Sequence, residues 1–298
     1  MVNKEPRGRQ PDRSVPLFLW VDPTNACNLS CAYCYTKHSH GSVHLAVPSF
    51  HRLIDWLEPV RPQIKVLHLN WLGEPLMNPH FEELLQVHGE RVYDIPMHWH
   101  TNGTLLTKNR ARKIVAASRP HRVFVSIDGG TTATHEKNRG VGTFRRSVVG
   151  LRNLLEANEE AGRPLSVGVY QIEFGVPRRD YDPEFAELAS RASEWIRVVP
   201  LEGDGAEGGA PQACDSACFW AGHALCIDSS GRVAVCVISR GANGTIGHLD
   251  RDSVFDVIRR SGEWRAALIR EGRQSQSHCS ACRKKNGSPF VDRIEEVA

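Results

Sequence analysis

The sequence predicts an α/β protein, namely a partial (β/α)6 barrel followed by a smaller C-terminal region made of a β-hairpin and a helix. Strand-like and helix-like segments alternate between residues 17 and 201, which is the pattern of a parallel sheet covered by helices. Six strands can be counted, whereas a closed barrel of this kind needs about eight, so we expect the barrel to be open. A Gly-rich stretch without periodicity at residues 202–213 marks the boundary with the C-terminal region.

The six predicted strands are short apolar runs, at residues 17–21, 65–71, 97–101, 122–127, 165–172 and 196–201. Five helices are predicted between them, at residues 49–60, 80–92, 107–118, 144–162 and 182–195. The fourth helix has an apolar face because its leucines and valine recur at helical spacing, at Val148, Leu151, Leu154 and Leu155. Beyond the boundary, two β-rich runs around Ser-Ser-Gly predict a hairpin at residues 223–236, and a helix is predicted at residues 253–270.

Four parts are expected along the chain: a disordered leader (1–14), the barrel (15–201), a linker (202–213) and a C-terminal domain (214–298). The leader has charges but no apolar core, so it does not resemble a secretory signal. No apolar run approaches the roughly 20 residues of a membrane span. The net charge of +3, without a basic and aromatic cluster, argues against nucleic acid as a partner. We therefore expect a cytoplasmic protein without a membrane partner, whose cysteines stay reduced.

The nine cysteines fall into two groups, three near the N-terminus and six after residue 213. An odd, clustered count in a reducing compartment indicates metal binding rather than disulfides. The first group, Cys27, Cys31 and Cys34, has the spacing CxxxCxxC directly after the first predicted strand. Three thiolates on one loop can hold three corners of a [4Fe–4S] cluster and leave the fourth iron open to another ligand. The alternative is a structural zinc site, which would need a fourth ligand elsewhere.

This triplet, with an aromatic residue before its last cysteine, resembles the signature of the radical S-adenosylmethionine (SAM) superfamily. Further motifs follow the predicted strands in the order of that family: Gly73-Glu74-Pro75, Thr101-Asn102-Gly103, Ser126-Ile127-Asp128-Gly129 and Arg139. Leu72 stands where the family has the first glycine of its GGEP motif. The resemblance implies SAM-binding roles for Tyr33, Gly73, Glu74, Asn102, Ser126, Asp128 and Arg139.

What the resemblance implies chemically is radical generation. The open iron would bind SAM, with Glu74 accepting hydrogen bonds from the SAM ammonium group and Arg139 pairing with the SAM carboxylate. One electron would split SAM into methionine and a 5′-deoxyadenosyl radical, which takes a hydrogen atom from the substrate. A reductant such as flavodoxin or ferredoxin is therefore an expected partner.

The C-terminal cysteines have a spacing similar to that of the SPASM domain, or of its shortened twitch form. The resemblance implies one fully ligated auxiliary [4Fe–4S] cluster held by Cys218, Cys236, Cys279 and Cys282. From spacing alone, a Cys₄ zinc site is the alternative. Cys226 lies in an apolar run and is predicted to be a small buried hydrophobe. Cys214, in the loop after the sixth strand, is a candidate hydrogen-atom donor to a substrate radical or an incidental loop cysteine.

Strand alternation predicts which polar side chains share a face with the motif residues, namely His68, Asn70, His98, His100, Gln171 and Glu173. An interior of this polarity suits a small, polar, hydroxylated or amine-rich substrate. The alternative is that these strands are partly solvated or that the faces are reversed. Position alone makes Glu173, Glu202 and Asp204 candidates for a general base.

The chain resembles the twitch dehydrogenases and epimerases of aminoglycoside biosynthesis. This resemblance implies hydrogen abstraction from a carbinol carbon of a sugar or aminocyclitol in antibiotic biosynthesis. An oxidoreductase would then form a ketone and pass an electron to the auxiliary cluster, whereas an epimerase would receive a hydrogen atom from a thiol. Two alternatives remain open, a maturase of a ribosomally made peptide and a non-catalytic iron–sulfur or zinc-binding module.

Overall fold

The computed structural model describes residues 17–34, 36, 41–117, 121–198, 223–237, 244–272, 275–276 and 279. Several predicted features lie outside these ranges: the leader, the linker, Cys214, Cys218, Cys282, Glu202 and Asp204. No helix in the described ranges combines the length and the apolar character needed to cross a bilayer.

One mixed, mostly parallel sheet organises the described chain. Six parallel strands follow in sequence order: β1 (Leu17–Val21), β2 (Ile64–His68), β3 (Met97–Thr101), β4 (Arg122–Ser126), β5 (Ser166–Ile172) and β6 (Glu194–Val198). On the other side of β1 lie a parallel strand, β7 (Ala224–Ile227), and then β8 (Arg232–Ala234) and β9 (Thr245–His248), each antiparallel to the strand before it. The sheet order is β6-β5-β4-β3-β2-β1-β7-β8-β9, which confirms the predicted α/β class with its open parallel sheet.

Within the part of the chain that the structure describes, seven helices connect or follow these strands: α1 (Val47–Leu57), α2 (Phe81–Arg91), α3 (Lys108–Ala117), α4 (Thr132–Arg139), α5 (Thr143–Glu160), α6 (Pro183–Arg191) and α7 (Val254–Glu271). Side chains cap the first turn of three of them, because Thr131, Asp182 and Ser253 accept hydrogen bonds from backbone N–H groups that lack a helical partner. Short 3₁₀ turns lie at Glu58–Gln63, Pro75–Met77 and Arg178–Asp180.

The sheet has an apolar side and a mixed side. The helices cover the apolar side, where Phe50, Phe81, Trp99 and Phe185 are among the largest fully buried side chains. The opposite side, called the inner face below, carries a smaller apolar cluster made of Phe18, Trp20, Val66, Trp71, Leu72, Ala224, Cys226 and Ala234. Cys226 is 0% exposed, which confirms the prediction of a buried small hydrophobe.

Several element boundaries differ from prediction, and two elements were not predicted. The helix predicted to reach residue 195 ends at Arg191, and Trp195 lies in β6, where it packs edge-on against Phe185 with ring centroids 5.7 Å apart. The Trp195 side chain therefore packs on the helix side of the sheet. A tryptophan in the last turn of a longer helix would pack there as well, so the hydrophobic pattern did not distinguish the end of α6 from the start of β6. Strand β2 ends at His68 rather than residue 71. Helix α4 and strand β9 were not predicted. Helix α4 buries only His135 and Arg139 and therefore lacks an apolar stripe.

Candidate active site

The three N-terminal cysteines lie on the loop that follows β1 at its carboxyl end, called the cluster loop below (residues 26–34). The loop is held to the rest of the sheet by its backbone. The Glu74 amide donates to the Ala26 carbonyl at 2.8 Å, and the Ala32 amide donates to the Asn138 carbonyl at 2.8 Å. The loop is thereby fixed between the end of β2 and the end of α4.

The thiols of this loop fit an iron–sulfur cluster. Cys27, Cys31 and Cys34 are all free and partly buried. Burial, together with negative charge on Glu74 and on the other two thiols, raises the pKa of Cys27 to about 11, so the three sulfurs are electrostatic neighbours. In the described part of the chain, no three His, Cys, Asp or Glu side chains are arranged to hold a single metal ion. A cubane differs from a single ion because each thiolate binds a separate iron, and its cations would offset the repulsion between the thiolates.

Gly73 allows the cluster loop to approach the end of β2. A Cβ atom at Gly73 would lie 2.2 Å from the Ala26 carbonyl oxygen and 2.4 Å from the Thr24 carbonyl oxygen, which is too close for any side chain. Leu72, in the place of the family's first glycine, does not prevent this approach. Its amide donates to Asp22 at 2.9 Å, and its side chain packs within the inner-face cluster.

Glu74 is a buried carboxylate that joins the ends of β2 and β3. Its Oε1 accepts from the Thr101 hydroxyl at 2.6 Å and from the Leu76 amide at 3.2 Å, and its Oε2 accepts from the Asn102 amide at 2.7 Å. Desolvation is the largest influence and raises the pKa of Glu74, although these hydrogen bonds oppose the shift. A carboxylate accepts about four hydrogen bonds, so Oε2 retains capacity for one more donor, as the predicted SAM ammonium contact requires.

Asn102 connects the cluster loop to the turn after β3. Its Nδ2 donates to Asn28 Oδ1 at 2.9 Å, while Oδ1 accepts from the amide of Thr104 at 2.9 Å and from its hydroxyl at 2.6 Å. Asn28 in turn donates to the Thr104 hydroxyl at 2.8 Å. Asn28 lies between the first two cysteines of the motif, so this closed network fixes the first half of the cluster loop.

Asp128 fixes the second half of the loop, since it binds both Tyr33 and Arg139. Arg139 donates through Nε to Oδ2 at 2.6 Å and through Nη2 to Oδ1 at 3.2 Å, and the Tyr33 hydroxyl donates to Oδ2. The Ile172 amide adds a fourth hydrogen bond at 3.2 Å. Burial alone would raise the pKa of Asp128, but the charge and hydrogen bonds of Arg139 and the Tyr33 hydrogen bond outweigh it and hold the pKa below its usual range.

This arrangement leaves Arg139 partly available to a ligand. Its Nη1 group makes no hydrogen bond to any residue that the structure describes, and its Cζ lies 5.8 Å from the centroid of the Tyr33 ring. A guanidinium that is already oriented by a carboxylate can still donate to a second oxyanion. The predicted contact with the SAM carboxylate therefore requires no rearrangement of the ion pair.

Histidines form a layer on the inner face of the sheet, below the motif residues. His68 stacks on Trp20 with ring centroids 4.4 Å apart and meets His98 edge-on at 5.4 Å. His100 lies 5.1 Å from Tyr170, whose Cα is in register with that of Ser126 on β4. Burial lowers the pKa of His68 well below its usual value, that of His98 to about 4 and that of His100 to about 3. All three imidazoles are therefore uncharged at neutral pH.

The prediction for β5 was wrong about the face. Gln171 is fully buried on the helix side, where its Oε1 accepts from Trp195 Nε1 at 2.9 Å, and Glu173 is paired with Arg197 at 2.9 Å. Tyr170 occupies the inner face instead. The error is one of phase, because Val167 and Val169 alternate with Gly168 and Tyr170, and the apolar valines face the helices.

Two of the predicted auxiliary-cluster ligands are described. Cys236 follows β8, and Cys279 follows α7, where it clusters with Leu268 and Trp264. Both thiols are buried and free of disulfides. Cys218, Cys282 and the candidate hydrogen donor Cys214 lie outside the described residues, so these assignments stay predictions.

Asp22 was missed by the sequence reasoning, although it directly follows β1. It is 0% exposed, and its Oδ1 accepts from the Leu72 amide at 2.9 Å. Burial raises its pKa to about 6. Its own amide donates to the Ile227 carbonyl at 2.8 Å, so it links the cluster-loop side of the sheet to β7. A carboxylate at the carboxyl end of an apolar strand was the available signal.

Comparison with known proteins identifies two regions of the chain. Residues 21–193 match the radical SAM superfamily, and residues 218–283 match the SPASM domain, described as an iron–sulfur cluster-binding domain. The mycofactocin maturase MftC of Mycobacterium tuberculosis (strain CDC 1551 / Oshkosh) is 32% identical over 193 residues, which are 64% of this chain and 46% of that protein. The chain thus spans about half the length of this curated relative.

Solved structures share the fold at low sequence identity. BtrN in complex with AdoMet and 2-DOIA has a TM-score of 0.59 at 14% identity, covering 91% of this chain and 94% of that one. Streptococcus suis SuiB bound to the precursor peptide SuiA has a TM-score of 0.58 at 14% identity, covering 94% of this chain and 73% of that one.

The two matched regions imply the cofactors. The first implies SAM and a SAM-binding [4Fe–4S] cluster, and the second implies an auxiliary iron–sulfur cluster. The described residues fit the SAM-binding cluster, because three neighbouring free thiols lie on a loop that is fixed to Gly73, Glu74, Asn102 and Asp128. The match covers more than half of the chain, and the chain therefore belongs to the radical SAM superfamily, with a C-terminal SPASM/twitch region.

Proposed function

We propose that this enzyme removes a hydrogen atom from a carbinol carbon of a sugar or aminocyclitol and converts it to an epimer or a ketone. The supporting observation is the uncharged polar layer of the inner face. His68, His98 and His100 lie below the carboxyl ends of the strands that carry the motifs, and burial keeps all three neutral. A neutral imidazole can donate one hydrogen bond and accept another, which matches a hydroxyl group.

Two buried atoms at the carboxyl end of β2 require hydrogen bonds that the described residues do not provide. His68 Nε2 and Asn70 Oδ1 are both without a partner there. An unpaired buried polar atom costs about 1–3 kcal/mol, so these atoms favour a hydrogen-bonding ligand, and Asn70 Oδ1 in particular favours one that supplies polar hydrogens. Hydroxyl and amino groups do so, whereas a carboxylate offers no donor to Asn70 Oδ1 and finds no positive charge on the imidazoles.

In this proposal the described residues bind and orient the reactants. Cys27, Cys31 and Cys34 would hold the cluster, and Glu74 and Arg139 would bind SAM, which together supply a 5′-deoxyadenosyl radical. The neutral imidazoles of the inner face would bind the substrate hydroxyls and expose one C–H bond to that radical. Trp20 and Leu72 are both under 10% exposed and would form an apolar wall beside the substrate.

Deuterium incorporation from solvent distinguishes epimerisation from dehydrogenation after hydrogen abstraction. Reconstituted enzyme is incubated in deuterated water with SAM, a reductant such as flavodoxin or ferredoxin, and candidate aminocyclitols. Solvent deuterium at the carbinol carbon supports hydrogen return from a thiol, and a ketone without it supports dehydrogenation. The proposal would be contradicted if no cyclitol or sugar increased the release of 5′-deoxyadenosine above the rate without substrate.

Cys214→Ala tests the proposed hydrogen donor, with Cys226→Ala as the matched control. If Cys214 returns the hydrogen atom, its loss stops epimer formation while 5′-deoxyadenosine release continues. Cys226 is fully buried between sheet strands, so the control should keep the product ratio of the unaltered enzyme. Unchanged epimerisation by Cys214→Ala would remove this thiol from the mechanism.

A second candidate function is maturation of a ribosomally made peptide, which is favoured by the similarity to mycofactocin maturase. The same assay distinguishes the two, because a peptide substrate would stimulate 5′-deoxyadenosine release where sugars and cyclitols do not. A precursor-peptide gene beside the gene of this protein would favour the peptide, and aminotransferase or glycosyltransferase genes would favour the carbohydrate.

A further inference from the structure

A cavity of about 440 Å³ opens beside the carboxyl ends of β5 and β6. Its lining includes Glu173, Phe174, Arg178, Tyr181 and Arg197. None of these residues belongs to the SAM motifs described above. A volume of this size is within the range of small-molecule sites in proteins.

Two arginines of this cavity share one aromatic platform. The Cζ atoms of Arg178 and Arg197 lie 5.0 Å and 5.9 Å from the centroid of the Trp195 ring. Trp195 is itself fixed, since its Nε1 donates to Gln171 and its ring packs edge-on against Phe185. Stacking holds a guanidinium plane in place and leaves its N–H edge free to form a forked pair with an oxyanion.

The charges of the cavity do not balance. Arg197 is paired with Glu173 at 2.9 Å, but Arg178 forms no ion pair or side-chain hydrogen bond with any described residue. Two guanidinium groups around one ring with a single carboxylate leave an excess of positive charge. An anion in the cavity would relieve that excess and could bind Arg178 in a bidentate manner.

One wall of the cavity lies near the cluster loop. The Phe174 ring, part of its wall, lies 6.3 Å from the ring of Tyr33, the residue before Cys34. A ligand anchored here would thus extend along the edge of the sheet at which the motif residues are found.

From this geometry we propose that the cavity binds a phosphate group carried by a small molecule, with Arg178 as its principal ligand and Arg197 as the second. A phosphate has enough oxygens to engage both guanidinium groups, and its charge exceeds that of a carboxylate. Phosphate binding by the cavity does not depend on the proposed function. The assignment of this phosphate to the substrate, as in a phosphorylated or nucleotide-linked sugar, does rest on the proposed function.

The test measures binding to the reconstituted full-length chain by calorimetry in phosphate-free buffer. The probes are inorganic phosphate, glucose 6-phosphate, UDP-glucose, glucose and gluconate. Arg178→Gln should weaken glucose 6-phosphate binding about 10- to 100-fold, as expected for loss of a charge-assisted forked pair. Arg179→Gln is the matched control, because Arg179 is the neighbouring arginine, lies outside the cavity lining and is 83% exposed; it should change binding no more than about twofold.

The outcomes test the phosphate site and the proposed function separately. Phosphorylated probes that bind no better than glucose or gluconate, or equal losses in the two variants, would overturn the phosphate site. Tighter binding of UDP-glucose than of glucose 6-phosphate supports a nucleotide-linked ligand, and the reverse supports a simple phosphate ester. Phosphate binding that depends on Arg178, without any sugar-stimulated release of 5′-deoxyadenosine, would support the site and contradict the proposed function.

Discussion

Replacement of Asp128 by asparagine should destabilise the protein strongly, because Asp128 is the counter-charge of a buried arginine. The Arg139 side chain is 10% exposed and the Asp128 side chain 0%. The substitution would retain the shape but remove the charge, and the introduced amide NH₂ would face donors from Arg139, Tyr33 or the Ile172 amide. Breaking a buried pair by removing one partner costs about 3–5 kcal/mol. We expect a loss of that size in the free energy of unfolding.

The assay is equilibrium denaturation followed by tryptophan fluorescence under anaerobic conditions, with the denaturant slope compared between variants to test for a common unfolding reaction. Glu160→Gln serves as the control, since it breaks the exposed Arg112–Glu160 pair and should cost no more than about 1 kcal/mol. Adding Arg139→Met to Asp128→Asn should restore part of the stability, because it removes the uncompensated charge.

The same substitution has a second readout at the cluster loop. In Asp128→Asn the Tyr33 hydroxyl loses its charged acceptor, so the electron paramagnetic resonance signal of the reduced cluster with SAM should change relative to that of the control. A loss of stability no larger than that of Glu160→Gln, together with an unchanged spectrum, would refute the positioning role that we assign to Asp128.

Three further predictions concern backbone approach, protonation and cluster assembly. Gly73→Ala should lower the iron content, because its Cβ would lie 2.2 Å from a carbonyl oxygen. Gly262→Ala should not, because a Cβ there meets no atom within 4 Å apart from the backbone of its own helix, and equal iron content in both variants would contradict the close approach. The pKa of His98 is about 4 in the folded protein, against an ordinary value of 6.5. As the pH falls from 6.5 towards 4, the unfolded chain therefore binds a proton that the folded protein does not. The free energy of unfolding should decrease over this range by up to about 1.4 kcal/mol per pH unit. His98→Gln should show a shallower fall in denaturation experiments, and an identical slope would exclude this histidine as a cause. Triple alanine substitution at the cluster loop should abolish SAM cleavage, and full turnover would disprove the assignment of the cluster to Cys27, Cys31 and Cys34.

The strands and the convergence of the motifs could be predicted because each depends on local patterns. The apolar runs 17–21 and 97–101 coincide with β1 and β3, since short β-rich runs between polar turns have few alternative structures. Residues that follow parallel strands meet at one edge of the sheet, so Glu74 and Asn102 could be expected to lie together, and they are hydrogen-bonded.

What could not be predicted depends on tertiary partners. The burial of Gln171 on the helix side depends on a contact from another strand, because its Oε1 accepts a hydrogen bond from Trp195 Nε1 at 2.9 Å. Helix α4 has no apolar stripe, and its buried positions are His135 and Arg139, the second of which is stabilised by Asp128. The arginines of the cavity, Arg178 and Arg197, are 19 residues apart in sequence and have no shared motif, so only the fold brings them to the same ring.

The pairing of β7 with β1 has a consequence for the order in which the protein matures. Strand β1 leaves the ribosome before the backbone that flanks its second edge, from Ala224 to Ile227, which is made some 200 residues later. At ordinary translation rates of about 5–20 residues per second, this interval lasts roughly ten seconds or more. Throughout that time the Asp22 amide lacks its Ile227 carbonyl, and the nascent thiols next to it await their final support. We therefore expect the cluster to be inserted after β7 has paired with β1, rather than into the nascent chain.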